Sequence, residues 1–102
     1  MMASWTVLTT HTRALLYIAR HPDARLRDIA ANLDVTERTV TAIVKDLTEA
    51  GYVAKHREGR RNRYEIRQDA PLHDPSDIHL TIGQLIQALS DVEPSTETQA
   101  AL

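Results

Sequence analysis

Six cations crowd thirteen residues in the middle of the chain: Lys55, Arg57, Arg60, Arg61, Arg63 and Arg67, opposed only by Glu58 and Glu65. Arg60, Arg61 and Arg63 have no acid between them, so their repulsion destabilises the free protein and an anionic partner explains them simply. Arginine also enters a narrow A·T-rich minor groove readily, because the negative potential is concentrated there. The alternative is a solvated turn in which the charges serve only solubility. Upstream, Thr36, Glu37, Arg38, Thr39, Thr41, Ala42 and Lys45 form a second set. On a helix these short or flexible polar side chains suit the floor of a major groove. Arg38 is of the type that reaches guanine O6 and N7, Ala42 and the threonine methyls suit a thymine methyl, and Lys45 suits a phosphate. Taken alone, that set reads equally well as a solvated helix face with an ordinary cap.

The elements that would carry these groups are legible. Thr9 or Thr10 caps a first helix to about Arg20, with Ala14, Leu15, Ile18 and Ala19 on one face. Pro22 disfavours helical dihedrals at His21 and ends it. A second helix spans about Leu26 to Leu33, with Leu26, Ile29, Ala30 and Leu33 inward; the usual Ser or Thr cap is replaced by Arg25. Asp34 tolerates the left-handed turn, Thr36 caps a third helix to Ala50, and Gly51 stops it. Val40, Ile43, Val44 and Leu47 are its buried stripe, which places Arg38, Thr41, Ala42 and Lys45 outside. Residues 52–56 and 63–67 alternate as strands, with Val53, Tyr64 and Ile66 inward and 57–62 connecting them around Gly59. The pattern predicts a mainly α fold with a small β-hairpin (α+β): a winged helix-turn-helix with an added C-terminal dimerisation helix.

That last helix is predicted to begin at Asp74 with Pro75 in its first turn and to run to about Ser90. Its apolar residues Ile78, Ile82, Leu85, Ile86 and Leu89 exceed what three helices and a hairpin need. Sharing part of that stripe with a second copy, helped by Trp5, is favoured over closing the chain's own core. The organisation expected is a DNA-binding domain over 1–68, a linker and dimerisation helix over 69–92, and a polar, disordered tail over 93–102.

The formal net charge of -2 hides an asymmetry. Residues 1–68 hold all 12 Lys and Arg against 8 acids, a balance of +4, whereas 69–102 hold 6 acids and no Lys or Arg, a balance of -6. With 102 residues and no cysteine, one small aliphatic domain without a disulfide framework or thiolate metal site is expected. The N-terminus lacks the pattern of a secretory signal and no apolar run approaches the ~20 residues of a membrane span. A cytoplasmic protein without membrane contact is the default expectation.

LRDIAANLDVTERTVTAIVKDLTEAGYV followed by REGRRNRYEI resembles the small winged helix-turn-helix transcriptional regulators of the MarR/ArsR-like group, over roughly residues 9–90. The resemblance implies a bacterial homodimer with the third helix in the major groove, the hairpin tip at the minor groove or backbone, and dimerisation through the terminal helices. By position it assigns Thr36, Glu37, Arg38, Thr39, Thr41, Ala42 and Lys45 to the recognition helix and Arg57, Arg60, Arg61, Asn62 and Arg63 to the wing. The chain departs from the pattern at Asp34, where Gly is common, and at Arg25; Arg25 and Arg27 suit phosphate contacts. ArsR-type metal sensors carry paired ligands in the last helix, but after Asp77-Ile-His79 this chain has Ser90-Asp-Val-Glu93, with Ser90 where a ligand is required. No metal, cofactor or catalytic constellation is expected, since no phosphate loop or nucleophile elbow occurs.

The function expected is a sequence-specific, dimeric transcription regulator, more readily a repressor, since a bound dimer excludes polymerase by occupancy. A protein-interaction module and an architectural DNA binder are the alternatives. Any small-molecule effector is left open, with the cleft between the last helix and the winged domain as its expected place.

Overall fold

In the computed structural model, residues 7–76 and 78–90 are described. The order is α1 (Thr10–Arg20), α2 (Leu26–Leu33), α3 (Glu37–Glu49), β1 (Val53–Glu58), β2 (Arg61–Ile66) and α4 (Ile82–Ser90).

Each early boundary has a local cause. Thr9 Oγ1 accepts the Thr12 amide at 3.2 Å and starts α1. At α2 the arginine cap has no acceptor to offer. The Asp28 carboxylate instead reaches back to accept the Arg25 amide at 3.1 Å, half of a capping box. Asp34 closes α2 with φ 59°, and the Val35 amide turns back onto the Ala30 carbonyl at 3.0 Å. Two residues later Thr36 Oγ1 accepts the Thr39 amide at 3.1 Å and opens α3. Gly51, at φ 83°, ends α3: Tyr52 N–H donates to the Leu47 carbonyl and Gly51 N–H to that of Thr48, a Schellman pair.

One aliphatic core results. Ala14, Leu15 and Ile18 of α1 meet Ile29, Ala30 and Leu33 of α2, Val40, Ile43, Val44 and Leu47 of α3, and Val53 and Tyr64 of the hairpin. Full burial of each larger aliphatic side chain stabilises by roughly 1.5–3 kcal/mol. Among the described residues no charged side chain is buried and no buried side-chain N or O lacks a hydrogen bond. Arg38, Thr39, Thr41, Ala42 and Lys45 of α3 lie outside this core.

The strands are longer than the alternation predicts. β1 and β2 pair antiparallel from Val53↔Ile66 to Glu58↔Arg61, so the connection is the two residues Gly59 and Arg60 rather than 57–62. Gly59 has φ 62° while Arg60 is not left-handed, the φ pattern of a type II′ hairpin. Arg57 and Asn62 thus belong to the ladder, as a cross-strand pair.

The predicted start of the last helix is overturned. Asp74 and Pro75 lie in an irregular segment, where the Asp74 carboxylate accepts both the amide and the hydroxyl of Ser76, a local turn that competes with helix capping. Residues 70–72 and 80–82 instead pair through Leu72 N–H to the Leu80 carbonyl and Ile82 N–H to the Ala70 carbonyl, both 2.8 Å. The helix begins only at Ile82, where Thr81 and Gln84 exchange bonds: Gln84 N–H to Thr81 Oγ1 at 3.1 Å and Thr81 N–H to Gln84 Oε1 at 2.9 Å. That reciprocal pair is a capping box.

Candidate nucleic-acid interface

The register divides the hairpin into two faces. Lys55, Arg57, Asn62 and Tyr64 share one, toward α3, and His56, Glu58, Arg61, Arg63 and Glu65 share the other. Burial raises the Tyr64 pKa, and the Asn62 amide at its hydroxyl opposes the shift. Asn62 is half-buried by this contact.

On α3, Glu37, Arg38, Thr39, Thr41, Ala42 and Lys45 are all exposed, and Thr36 is exposed at its cap. Among the described residues Arg38 makes no ion pair. Thr41 donates to the Glu37 carbonyl at 3.0 Å. Lys45 lies 2.8 Å from Glu49, whose hydrogen bond and charge raise the lysine pKa. The pair is open to water, so the ammonium is readily exchanged onto another anion.

The wing arginines divide by their partners. Arg57 Nε donates to the Gly59 carbonyl at 3.1 Å and stiffens the turn. Arg61 donates to the Asp23 carbonyl at 2.8 Å. Arg60 and Arg63 are exposed, and no acid among the described residues pairs with them. Arg25 is brought to the wing: it shares with Arg60 and Arg61 a cleft of about 290 Å³ whose lining contains no acid. Arg27 is exposed on α2 and makes no ion pair among the described residues. A second, more apolar cleft of about 400 Å³ separates α3 from the hairpin, with Thr41, Lys45, Lys55 and Asn62 at its walls. The wing therefore stands beside the outer face of α3.

Two histidine–carboxylate contacts, like the Lys45–Glu49 pair, were not anticipated. His11 Nε2 lies 2.8 Å from Asp46 and ties α1 to α3, and His56 lies 2.9 Å from Glu65 across the hairpin. The His56 hydrogen bond and charge hold the Glu65 pKa below its ordinary value. Alternation in the strands carried the second signal, since residues 56 and 65 fall on one face only once the register is known.

The expected dimerisation residues separate. Ile82 is fully buried and Ile86 is 8% exposed within the chain's own core, so neither has surface to share. Leu85 and Leu89 are half-buried, and Ile78 is 45% exposed. Trp5, Asp77, Glu93 and the 93–102 tail lie outside the described residues. Among the described residues no helix is long and apolar enough to cross a membrane.

A helix pair turning on Asp34, with a basic hairpin beside the second helix, defines a winged helix-turn-helix protein. The chain belongs to the MarR family of transcription regulators, whose profile matches residues 5–63. No curated protein sequence matches it. Its fold is similar to MepR, a transcription regulator of the Staphylococcus aureus multidrug efflux pump MepA, with TM-score 0.57 and 16% identity over 93% of this chain and 73% of that one. A MepR variant bound to an oligodeoxyribonucleotide matches with TM-score 0.55 at 16% identity, covering 93% and 72%. The zinc-dependent MarR family regulator AdcR, in its Zn(II)-bound state, matches with TM-score 0.52 at 13% identity, covering 98% and 72%.

Proposed function

We propose that the chain is a dimeric, sequence-specific DNA-binding repressor. Its α3 enters the major groove, where Arg38, Thr39, Thr41 and Ala42 meet base edges and Thr36, Glu37 and Lys45 flank them. The wing meets the minor groove or backbone through Arg60 and Arg63, and Arg25 and Arg27 add phosphate contacts. The observation that carries this reading is the wing standing beside the core-free face of α3, with Arg38, Arg60 and Arg63 all lacking acidic partners among the described residues. A MepR variant in complex with an oligodeoxyribonucleotide supports DNA as the polyanion for this fold.

Ile78, Leu85 and Leu89 supply the apolar surface for a second copy, and occupancy of a promoter by that dimer excludes polymerase. Selection of duplexes from a random pool tests the reading, with an Arg60→Ala/Arg63→Ala variant run beside the native protein. Enrichment of a two-fold symmetric site with half-sites about 10 bp apart, or a small multiple, supports it, provided the variant loses the enrichment. Salt-sensitive retention without enrichment would replace it with an architectural binder. No retention at all would point to a protein partner.

A further inference from the structure

The wing is lashed to the loop between α1 and α2 by two hydrogen bonds, one of them from a side chain. Tyr64 N–H donates to the Pro22 carbonyl at 2.9 Å, which lays residues 22–23 along the edge of β2 that β1 leaves open. Three residues nearer the tip, the Arg61 guanidinium donates to the Asp23 carbonyl at 2.8 Å. Beyond these, the outer half of the hairpin is a two-stranded ribbon in solvent, and such ribbons are marginal alone and twist strongly. A bond near the tip fixes the tilt of the ribbon against the helices far better than one at its root.

The neighbouring cations differ in kind. Among the described residues Arg60 at the apex and Arg63 on the outer face have no acidic partner, whereas Arg61 already directs its guanidinium at a neutral carbonyl on another element. Charge is common to all three; orientation is not. Arg61 also lines the cleft that holds Arg25 and Arg60.

We infer that Arg61 is a positioning residue. It tethers the wing to the α1–α2 loop through Asp23 and sets the wing's angle to α3, while Arg60 and Arg63 meet the polyanion. The inference deepens the DNA-binding reading and rests on it for its second half.

Two measurements on the full chain test it separately. The first is amide hydrogen exchange at Tyr64 in the free protein. Loss of the tether in Arg61→Ala should speed that exchange several-fold, Arg61→Lys, which keeps a donor of nearly equal reach, should restore protection, and Arg60→Ala and Arg63→Ala should leave it unchanged. The second is the salt dependence of binding to a mixed-sequence DNA duplex. Arg60→Ala and Arg63→Ala should each lower the slope of log K against log salt by about 0.9, the value for one phosphate contact. Arg61→Ala should weaken binding by the same factor at every salt concentration, with the slope retained and affinity recovered in Arg61→Lys. Unaltered Tyr64 exchange in Arg61→Ala overturns the tether. A slope loss equal to that of Arg60→Ala overturns the division of labour. Should the native protein bind no duplex, the DNA reading fails and the exchange measurement alone judges the tether.

Discussion

Gly83 lies against Gln68 so closely that a Cβ at position 83 would sit 2.6 Å from the Gln68 Oε1 and 2.8 Å from its carbonyl oxygen. The Gly83 amide donates to that same carbonyl at 2.9 Å, so the approach is part of how α4 docks beside the end of β2. The glutamine side chain can swing away, but the backbone carbonyl cannot. Gly83→Ala should therefore destabilise the fold by about 1–2 kcal/mol, because overpacking outweighs the better helix propensity of alanine. Thermal or urea unfolding checks this; an unchanged or raised midpoint would mean that α4 docks more loosely than the contact implies.

Arg38→Ala should weaken binding to the selected site by about 1–3 kcal/mol and relax base choice at one position in each half-site. Its side chain is exposed and makes no ion pair among the described residues, so the unfolding midpoint should not move. A repeat selection with the variant gives the answer, and an unaltered preference would remove Arg38 from the reading set.

Leu85→Asp with Leu89→Asp should yield a folded monomer, since both side chains are only half-buried in the single chain. Light scattering reports the mass. A variant that stays dimeric would move the interface to Ile78 or to the residues before α1. The same change at Ile82 and Ile86 should unfold the chain instead, because those two are in its own core.

The Glu65 carboxyl titrates below its ordinary value because His56 hydrogen-bonds its charged form. A depressed folded-state pKa stabilises above the unfolded-state value and the stabilisation disappears as pH falls through the folded-state value. Native protein and Glu65→Gln should thus differ in stability above about pH 4.5, the ordinary value for this carboxyl, and converge in more acidic solution. Midpoints measured for both proteins across that range decide it; a difference that persists to low pH would assign the effect to packing.

The first three helices were legible because their signals are short-ranged: Thr9, Asp34, Thr36 and Gly51 each act within a few residues of themselves. The start of α4 was misread for the opposite reason. Asp74-Pro75 is a true turn signal, but its carboxylate is satisfied by Ser76, and pairing of 70–72 with 80–82 holds the segment extended. The Thr81–Gln84 box was present in the sequence and weaker to the eye than the Asp-Pro seven residues earlier. Residue types for the site could be read from α3 and the wing. That Arg61 turns back to Asp23, and that Arg25 joins Arg60, required knowing which loop lies beside β2.

α3 keeps its two duties on separate sides. Val40, Ile43, Val44 and Leu47 are in the core, while Arg38, Thr41 and Ala42 are exposed, Thr41 bonding back to the Glu37 carbonyl of its own helix. On the proposed function, descendants of this chain can thus exchange the outer residues and change the sequence they read with little cost to the core. For an engineer, a library at positions 38, 41 and 42 should return mostly folded proteins, and its diversity would be one of targets rather than of survivors.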